Sequence, residues 1–217
     1  MVKYIVLDVE TKNLGSDIME DNERLLSIQL GDAHKQELYY ADSKDPRWTL
    51  AMGEKQIAAL SSQGYTFAGY NIMGFDTTML KKFRGIEIPE SKLFDICQSP
   101  RLTQFTNKKR CRMEEACRMC GVDASHKPKM DKRAEKYLAR QDIKEQAKVK
   151  AEDLVKNKGW DPDFAFKYVL EKIAGGHAIY ETYVEFVENG GRKDAFFYEY
   201  AIGDVISEYN LLKALKY

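Results

Sequence analysis

The chain has 217 residues, 44% hydrophobic and 31% charged, a composition that describes a soluble globular protein long enough to bury a core. Its 34 basic and 34 acidic residues cancel, so net charge gives no vote for a nucleic-acid partner. No apolar run approaches the roughly 18 residues of a membrane span, no signal peptide precedes the first strand, and four cysteines without such a signal point to reduced thiols in a cytoplasm.

The elements expected in chain order are mixed. Residues 3–9 read as a strand, and residues 24–30, apolar at Leu26, Ile28 and Leu30, as a second. Gly31-Asp32 turns into a third strand at 35–40, so the three form an antiparallel meander. Residues 54–63 read as a helix with Ile57, Ala58 and Leu60 on one side and Gly64 as its stop. A short strand at 65–70 delivers Asn71, a helix follows at 77–83, and a further strand at 92–96. Strands followed by alternating helices and strands give an α/β fold with a mixed sheet.

Beyond Gln98 the chain becomes mainly helical. Residues 112–120 form a short helix stopped by Gly121, residues 131–157 one or two charged helices, and residues 164–174 another, after the break Lys158-Gly159-Trp160-Asp161-Pro162. Gly175-Gly176 and Asn189-Gly190-Gly191 read as turns. Residues 128–192 are thus a helical elaboration inside a single domain spanning 1–217, with no repeat, low-complexity tract or linker.

Three short acidic motifs carry the chemistry. Tyr4-Ile5-Val6-Leu7-Asp8-Val9-Glu10-Thr11 ends a strand in a D-x-E pair; Asn71-Ile72-Met73-Gly74-Phe75-Asp76 follows another apolar run; Tyr200-Ala201-Ile202-Gly203-Asp204 opens the last helical segment. In a strand, residues i and i+2 face the same way, so Asp8 and Glu10 project together while Leu7 and Val9 face a core. In a helix, residues i and i+4 share a face, so Tyr200 and Asp204 look into one site. Two neighbouring carboxylates repel and raise each other's pKa unless a cation removes the penalty. Four oxygen-rich acids with no histidine or cysteine among them make the ligand set of Mg²⁺ or Mn²⁺, and that chemistry points to phosphodiester cleavage.

At these residues the chain resembles the DEDD superfamily of 3′-to-5′ exonucleases, which have an RNase H-like (DnaQ-like) fold. Tyr200, four residues before Asp204, matches the DEDDy branch; the histidine of the alternative branch would stand five residues before, at Glu199. Residues 69–76 look most like the second motif of the proofreading exonuclease domains of B-family DNA polymerases. The 127 residues between Asp76 and Asp204 are more than a minimal member of the family needs. The resemblance implies two divalent cations, Mg²⁺ or Mn²⁺, held by Asp8, Glu10, Asp76 and Asp204, with Asp8 bridging. Tyr200 would orient the attacking water. Nucleoside 5′-monophosphates would leave the 3′ end of DNA, single-stranded by preference. Thr11 and Asn71 would contact the terminal nucleotide, and Phe75 is a stacking candidate. DNA is favoured over RNA; an RNase D-like exoribonuclease and a catalytically silent nucleic-acid-binding module are the alternatives. With no polymerase or helicase domain accommodated in this length, a replication or repair protein partner is expected to work in trans.

Charge distribution and the cysteines complete the reading. Residues 101–158 hold 17 Lys or Arg against nine Asp or Glu, the footprint of a phosphate-binding surface. Lys108, Lys109 and Arg110 are the expected nucleic-acid contacts, whereas the helix after Asp142, with i,i+4 pairs of opposite charge, reads as solvated surface. Cys117 and Cys120, with Cys111 and His126 nearby, resemble a zinc site, but the pair lies one turn apart on an amphipathic helix where cysteine packs as a small hydrophobe.

Overall fold

The computed structural model describes residues 2–12, 24–108 and 111–217. Five strands form one mixed sheet in the order β3-β2-β1-β4-β5. β1 (Lys3–Lys12), β2 (Arg24–Gly31) and β3 (Gln36–Tyr40) are the antiparallel meander. β4 (Tyr65–Gly69) and β5 (Leu93–Asp95) then add in parallel on the other side of β1. This is the α/β architecture expected from the sequence, consistent with an RNase H-like fold.

β1 is central and buried on both faces, which its sequence dictates. Ile5, Leu7 and Val9 alternate onto one face and pack with Phe67, Ile72 and the helices α1 (Leu50–Ser62) and α2 (Asp76–Arg84) through Ile57, Leu60, Met79 and Leu80. Val6 takes the opposite face with Ala68. There it meets Leu102 of α3 (Pro100–Thr106), Ala116 and Cys117 of α4 (Met113–Cys120), and Val205, Leu211 and Leu212 of α8 (Phe196–Ala214). Asp8 and Glu10 share the Val6 face by the period of two. Their side chains therefore leave the sheet towards α8.

The helical elaboration comprises α5 (His126–Leu138), α6 (Gln141–Lys158) and α7 (Pro162–Glu188). Three details differ from the sequence expectation. α1 begins at Leu50, four residues early, because Gly53 lies against the Tyr39 ring, where a Cβ would sit 3.0 Å from the nearest ring carbon. α5 begins at His126, five residues early, since Pro128 falls in its first turn, where no amide donor is needed. α7 runs unbroken through Gly175-Gly176 for 27 residues instead of turning there. The physical reason is packing: Ala174, Gly176 and Ala178 are buried where α5 lies across α7 with Met130 and Ala134. Small residues let the helices approach, which offsets the ~1 kcal/mol helix penalty of the buried Gly176.

The charged stretch 131–157 resolves into two helices, with Arg140 extended (φ −71°, ψ 130°) between them. α6 buries only Ile143, Ala147 and Ala151 and leaves its other faces to solvent, as its paired charges predict.

Candidate metal centre

Three elements bring the acidic motifs together. Asp8 and Glu10 come from β1, opposite Gln29 and Ser27 of β2. The register slips between Glu10 and Thr11, so the strand is bulged where the pair ends. Asp204 comes from α8, which crosses this face of the sheet. One carboxylate oxygen from each of Asp8, Glu10 and Asp204 lies within 4.8 Å of the others. Among the described residues, no other histidine, cysteine or acid group is drawn together in this way.

Asp76 opens α2 and is buried, and its Oδ1 accepts the Val9 amide hydrogen at 3.0 Å. It is thereby fixed to the backbone between Asp8 and Glu10. The turn that delivers it depends on Asn71, which is left-handed (φ 66°) and donates its amide to Asp95 Oδ1 at 3.0 Å. The Asn71 carbonyl accepts the amides of Gly74 and Phe75. A Cβ on Gly74 would lie 2.6 Å from Asn71 Oδ1. Asparagine tolerates this backbone better than most residues.

α5 completes the site with two residues that the motif reading did not select. His126 Nε2 lies 2.8 Å from Asp204 Oδ1, and Lys127 Nζ lies 2.6 Å from the Asp204 carboxylate and 3.3 Å from the Tyr200 hydroxyl. Gly203 permits this: a Cβ there would be 2.7 Å from the His126 ring. A third addition is Glu208, buried one further turn along the face that carries Tyr200 and Asp204. The Tyr70 backbone nearby favours its ionised form slightly, against a much larger effect of burial. The spacing 200, 204, 208 is legible as one helix face, but a lone glutamate gives no cue that it is buried. Lys127 carried no cue beyond lying in a basic stretch, and His126 only one that pointed to the cysteines and not to Asp204.

The electrostatics divide the acids. Burial, then the Asp204 charge, pushes Asp8 up to about 8. Burial and the Asp8 and Asp204 charges hold Glu10 well above the usual carboxylate range; burial and Asp8 do the same to Asp76. Glu208 is likewise raised by burial and by Asp8. Asp204 goes the other way: burial alone would raise it, but Lys127 and His126 outweigh burial and hold it low. Tyr200 is buried and its pKa lies well above that of free tyrosine, so its phenol stays protonated.

These residues fit a hard divalent cation on two grounds. The donors are all oxygens, and Asp8 Oδ2 is buried without a hydrogen-bond partner, as is Glu208 Oε2. An orphaned buried carboxylate oxygen is costly unless something binds it.

The remaining candidates are scattered. Thr11 is buried on β1 just beyond the bulge. Phe75 is half-buried and packs against the core under α1 and α2, and Asn71 is exposed at its turn. Lys108 pairs with Glu115 at 2.5 Å; Lys109 and Arg110 lie outside the described residues. Cys117 is buried in the core beneath α8, its thiol pushed up to about 12 by burial and Glu208, while His126 is engaged by Asp204. The cysteines and His126 thus serve different neighbours. No helix among the described residues is long and apolar enough to cross a membrane. No protein-family model and no curated protein matches the chain.

Proposed function

We propose that the protein is a DEDDy-type 3′–5′ exonuclease that releases nucleoside 5′-monophosphates from the 3′ end of single-stranded DNA. The observation that carries this reading is the convergence of Asp8, Glu10 and Asp204 within 4.8 Å, beside a buried Asp8 oxygen that lacks any partner. Asp8, Glu10 and Asp204 would hold one divalent cation, and Asp8 with Asp76 a second. When bound, Mg²⁺ or Mn²⁺ supplies an activated water and neutralises charge on the leaving 3′-oxygen.

The chain's own residues have separable tasks. The protonated Tyr200 phenol orients the attacking water by hydrogen bonding and, with its raised pKa, does not accept that water's proton. Lys127 holds positive charge against Asp204 and beside Tyr200, where it can also meet a phosphate oxygen. His126 fixes the Asp204 carboxylate through Oδ1. Asp76, tied to the Val9 amide, holds the α2 end of the site in register with β1.

The test uses 5′-labelled single-stranded DNA and a matched RNA with Mn²⁺ or Mg²⁺, beside Asp8→Ala and Asp204→Ala. A ladder shrinking from the 3′ end of DNA and lost in both variants supports the reading. Degradation of RNA alone makes the protein an RNase D-like exoribonuclease. If neither polymer is cut with either metal, the exonuclease reading is wrong and a silent binding module on this fold replaces it.

A further inference from the structure

α7 carries a continuous line of side chains that starts beside the acidic centre and ends at an exposed aromatic platform. Phe164, Tyr168 and Lys172 stand at i, i+4 and i+8 and so share one face of the helix. Trp160 joins them from just before the helix, where Asp161 caps its start by accepting the Phe164 amide at 2.9 Å. The ring centroids of Trp160 lie 5.4 Å from Phe164 and 5.3 Å from Tyr168, and Phe164 stacks on Tyr168 at 6.3 Å with 26° between planes. Trp160 and Tyr168 are anchored on the core between α6 and α7. Phe164 is 57% exposed.

The cations supply the other half. Lys172 Nζ lies 5.8 Å from the Tyr168 ring centroid. Arg112 and Lys127 are close enough to Lys172 to act on its charge, and Lys127 reaches Asp204 at 2.6 Å. Of the acids on this path, Glu171 pairs with Arg112 at 3.3 Å and Lys167 at 4.0 Å, while Glu114 and Asp131 lie near the same cations. One exposed phenylalanine needs no explanation. A rigid aromatic platform joined by cations to a site built for phosphodiester chemistry is a different matter. A positively charged path with aromatic rings for successive bases is how single strands are held without regard to sequence.

We infer that α7 is the track for the 5′-ward part of the strand, with phosphates passing Lys127, Arg112 and Lys172 and bases stacking on Phe164 and its aromatic neighbours. The eight residues from Lys172 to Phe164 span ~12 Å, roughly three stacked nucleotides at ~3.4 Å each. The track rests on the exonuclease reading and adds to it a role for the helical elaboration, which makes the enzyme prefer longer single strands over dinucleotides.

The experiment compares wild type with Phe164→Ala, Lys172→Gln and, as a control on another exposed apolar side chain, Val149→Ala. Single-stranded oligonucleotides of two and sixteen nucleotides, DNA and RNA, are tested for hydrolysis with Mn²⁺. Binding is measured by fluorescence anisotropy in an Asp8→Ala background. For the sixteen-mer, Phe164→Ala is expected to weaken binding about fivefold or more. Lys172→Gln should weaken it less and flatten the salt dependence by about one phosphate contact. Dinucleotide hydrolysis should stay within about twofold, and Val149→Ala should change nothing. A wild type that cleaves, and binds the longer strand more tightly, with no loss in Phe164→Ala or Lys172→Gln, overturns the track alone. A wild type that neither cleaves nor binds any of these strands overturns the exonuclease reading and the track with it.

Discussion

The two walls of the acidic centre are built from the same kind of side chain and reach opposite electrostatic states. On the β1 wall, half-buried Asp8 and buried Glu10 and Asp76 all have raised pKa values, and Asp8 Oδ2 has no partner. On the α8 wall, Asp204 is buried, yet His126 and Lys127 hold it ionised. Burial penalises both carboxylates, so the difference lies in what the neighbouring element contributes: β2 offers no cation, α5 offers Lys127. The lesson is that Lys127 contacts the α8 wall and acts on the β1 wall only at a distance. The β1 acids therefore stay raised and are the ones a bound cation would relieve, while Asp204 fixes where that cation would sit.

The largest predicted effects divide this comparison by sign. Asp8→Asn and Asp204→Asn should each cut the proposed exonuclease activity about 10³-fold or more, a loss of ~4 kcal/mol of transition-state stabilisation. Their effects on the metal-free fold should be opposite. Asp8→Asn removes a repelled buried charge and should stabilise the protein at pH 8 by about 1–3 kcal/mol. Asp204→Asn strands Lys127 without its anion and should destabilise it by about 3 kcal/mol or more. Urea unfolding in the presence of a chelator measures both; equal signs would mean that the walls are not electrostatically distinct.

Replacing Lys127 by Met should make the α8 wall resemble the β1 wall. Asp204 would lose the main influence that holds it low, and metal-free stability at pH 7 should fall by about 2–3 kcal/mol. Mn²⁺ should then raise the melting temperature of the variant more than that of wild type, because a cation would replace the missing ammonium. An identical Mn²⁺ response in the two proteins would show that Lys127 does not compensate the centre.

The pH dependence tests the same contrast without mutation. For Asp8, Glu10 and Asp76 the folded pKa lies above the unfolded one of about 4. Their contribution to stability is therefore complete below about pH 4 and is lost as pH rises, for Asp8 through about 8. Asp204 has the reverse sign: its contribution is present above its unfolded pKa of about 3.9 and is lost as the solution becomes more acidic. Metal-free protein should lose stability between about pH 5 and 8, and saturating Mn²⁺ should flatten that decline, since binding favours the ionised acids. A metal-free stability that rises over this interval would contradict the assignment of the β1 wall.

Much of this site was legible in the sequence because it obeys local periods. Asp8 and Glu10 are two residues apart on a strand, and Tyr200 and Asp204 four apart on a helix, so each pair's common face follows from geometry. The sheet was legible for the same reason, through the alternation of Ile5, Leu7 and Val9. What escaped was set by tertiary packing. His126 and Lys127 are 78 and 77 residues from Asp204, and only the docking of α5 on α8 brings them in. The reading of Gly175-Gly176 as a turn failed for a related reason: a glycine pair breaks an isolated helix, but Gly176, buried beside Ala174 and Ala178, allows close helix packing.

Two glycines provide the smallest and most discriminating comparison. In a helix interior, Gly→Ala alone should stabilise by roughly 0.5–1 kcal/mol. At Gly175 of α7 an added Cβ meets nothing within 4 Å, so Gly175→Ala should show that gain with activity unchanged. At Gly203 of α8 the same atom would fall 2.7 Å from the His126 ring, close to the root of the side chain, where it has least freedom to swing aside. Overpacking of this kind costs about 1–3 kcal/mol and should cancel or exceed the helix gain. Its functional effect should be larger than its thermal one. Moving His126 releases Asp204 Oδ1 and should lower activity about 10-fold, the range seen when a residue orienting a metal ligand is lost. If Gly203→Ala were as stable and as active as Gly175→Ala, the approach of α5 to α8 would not govern the Asp204 wall.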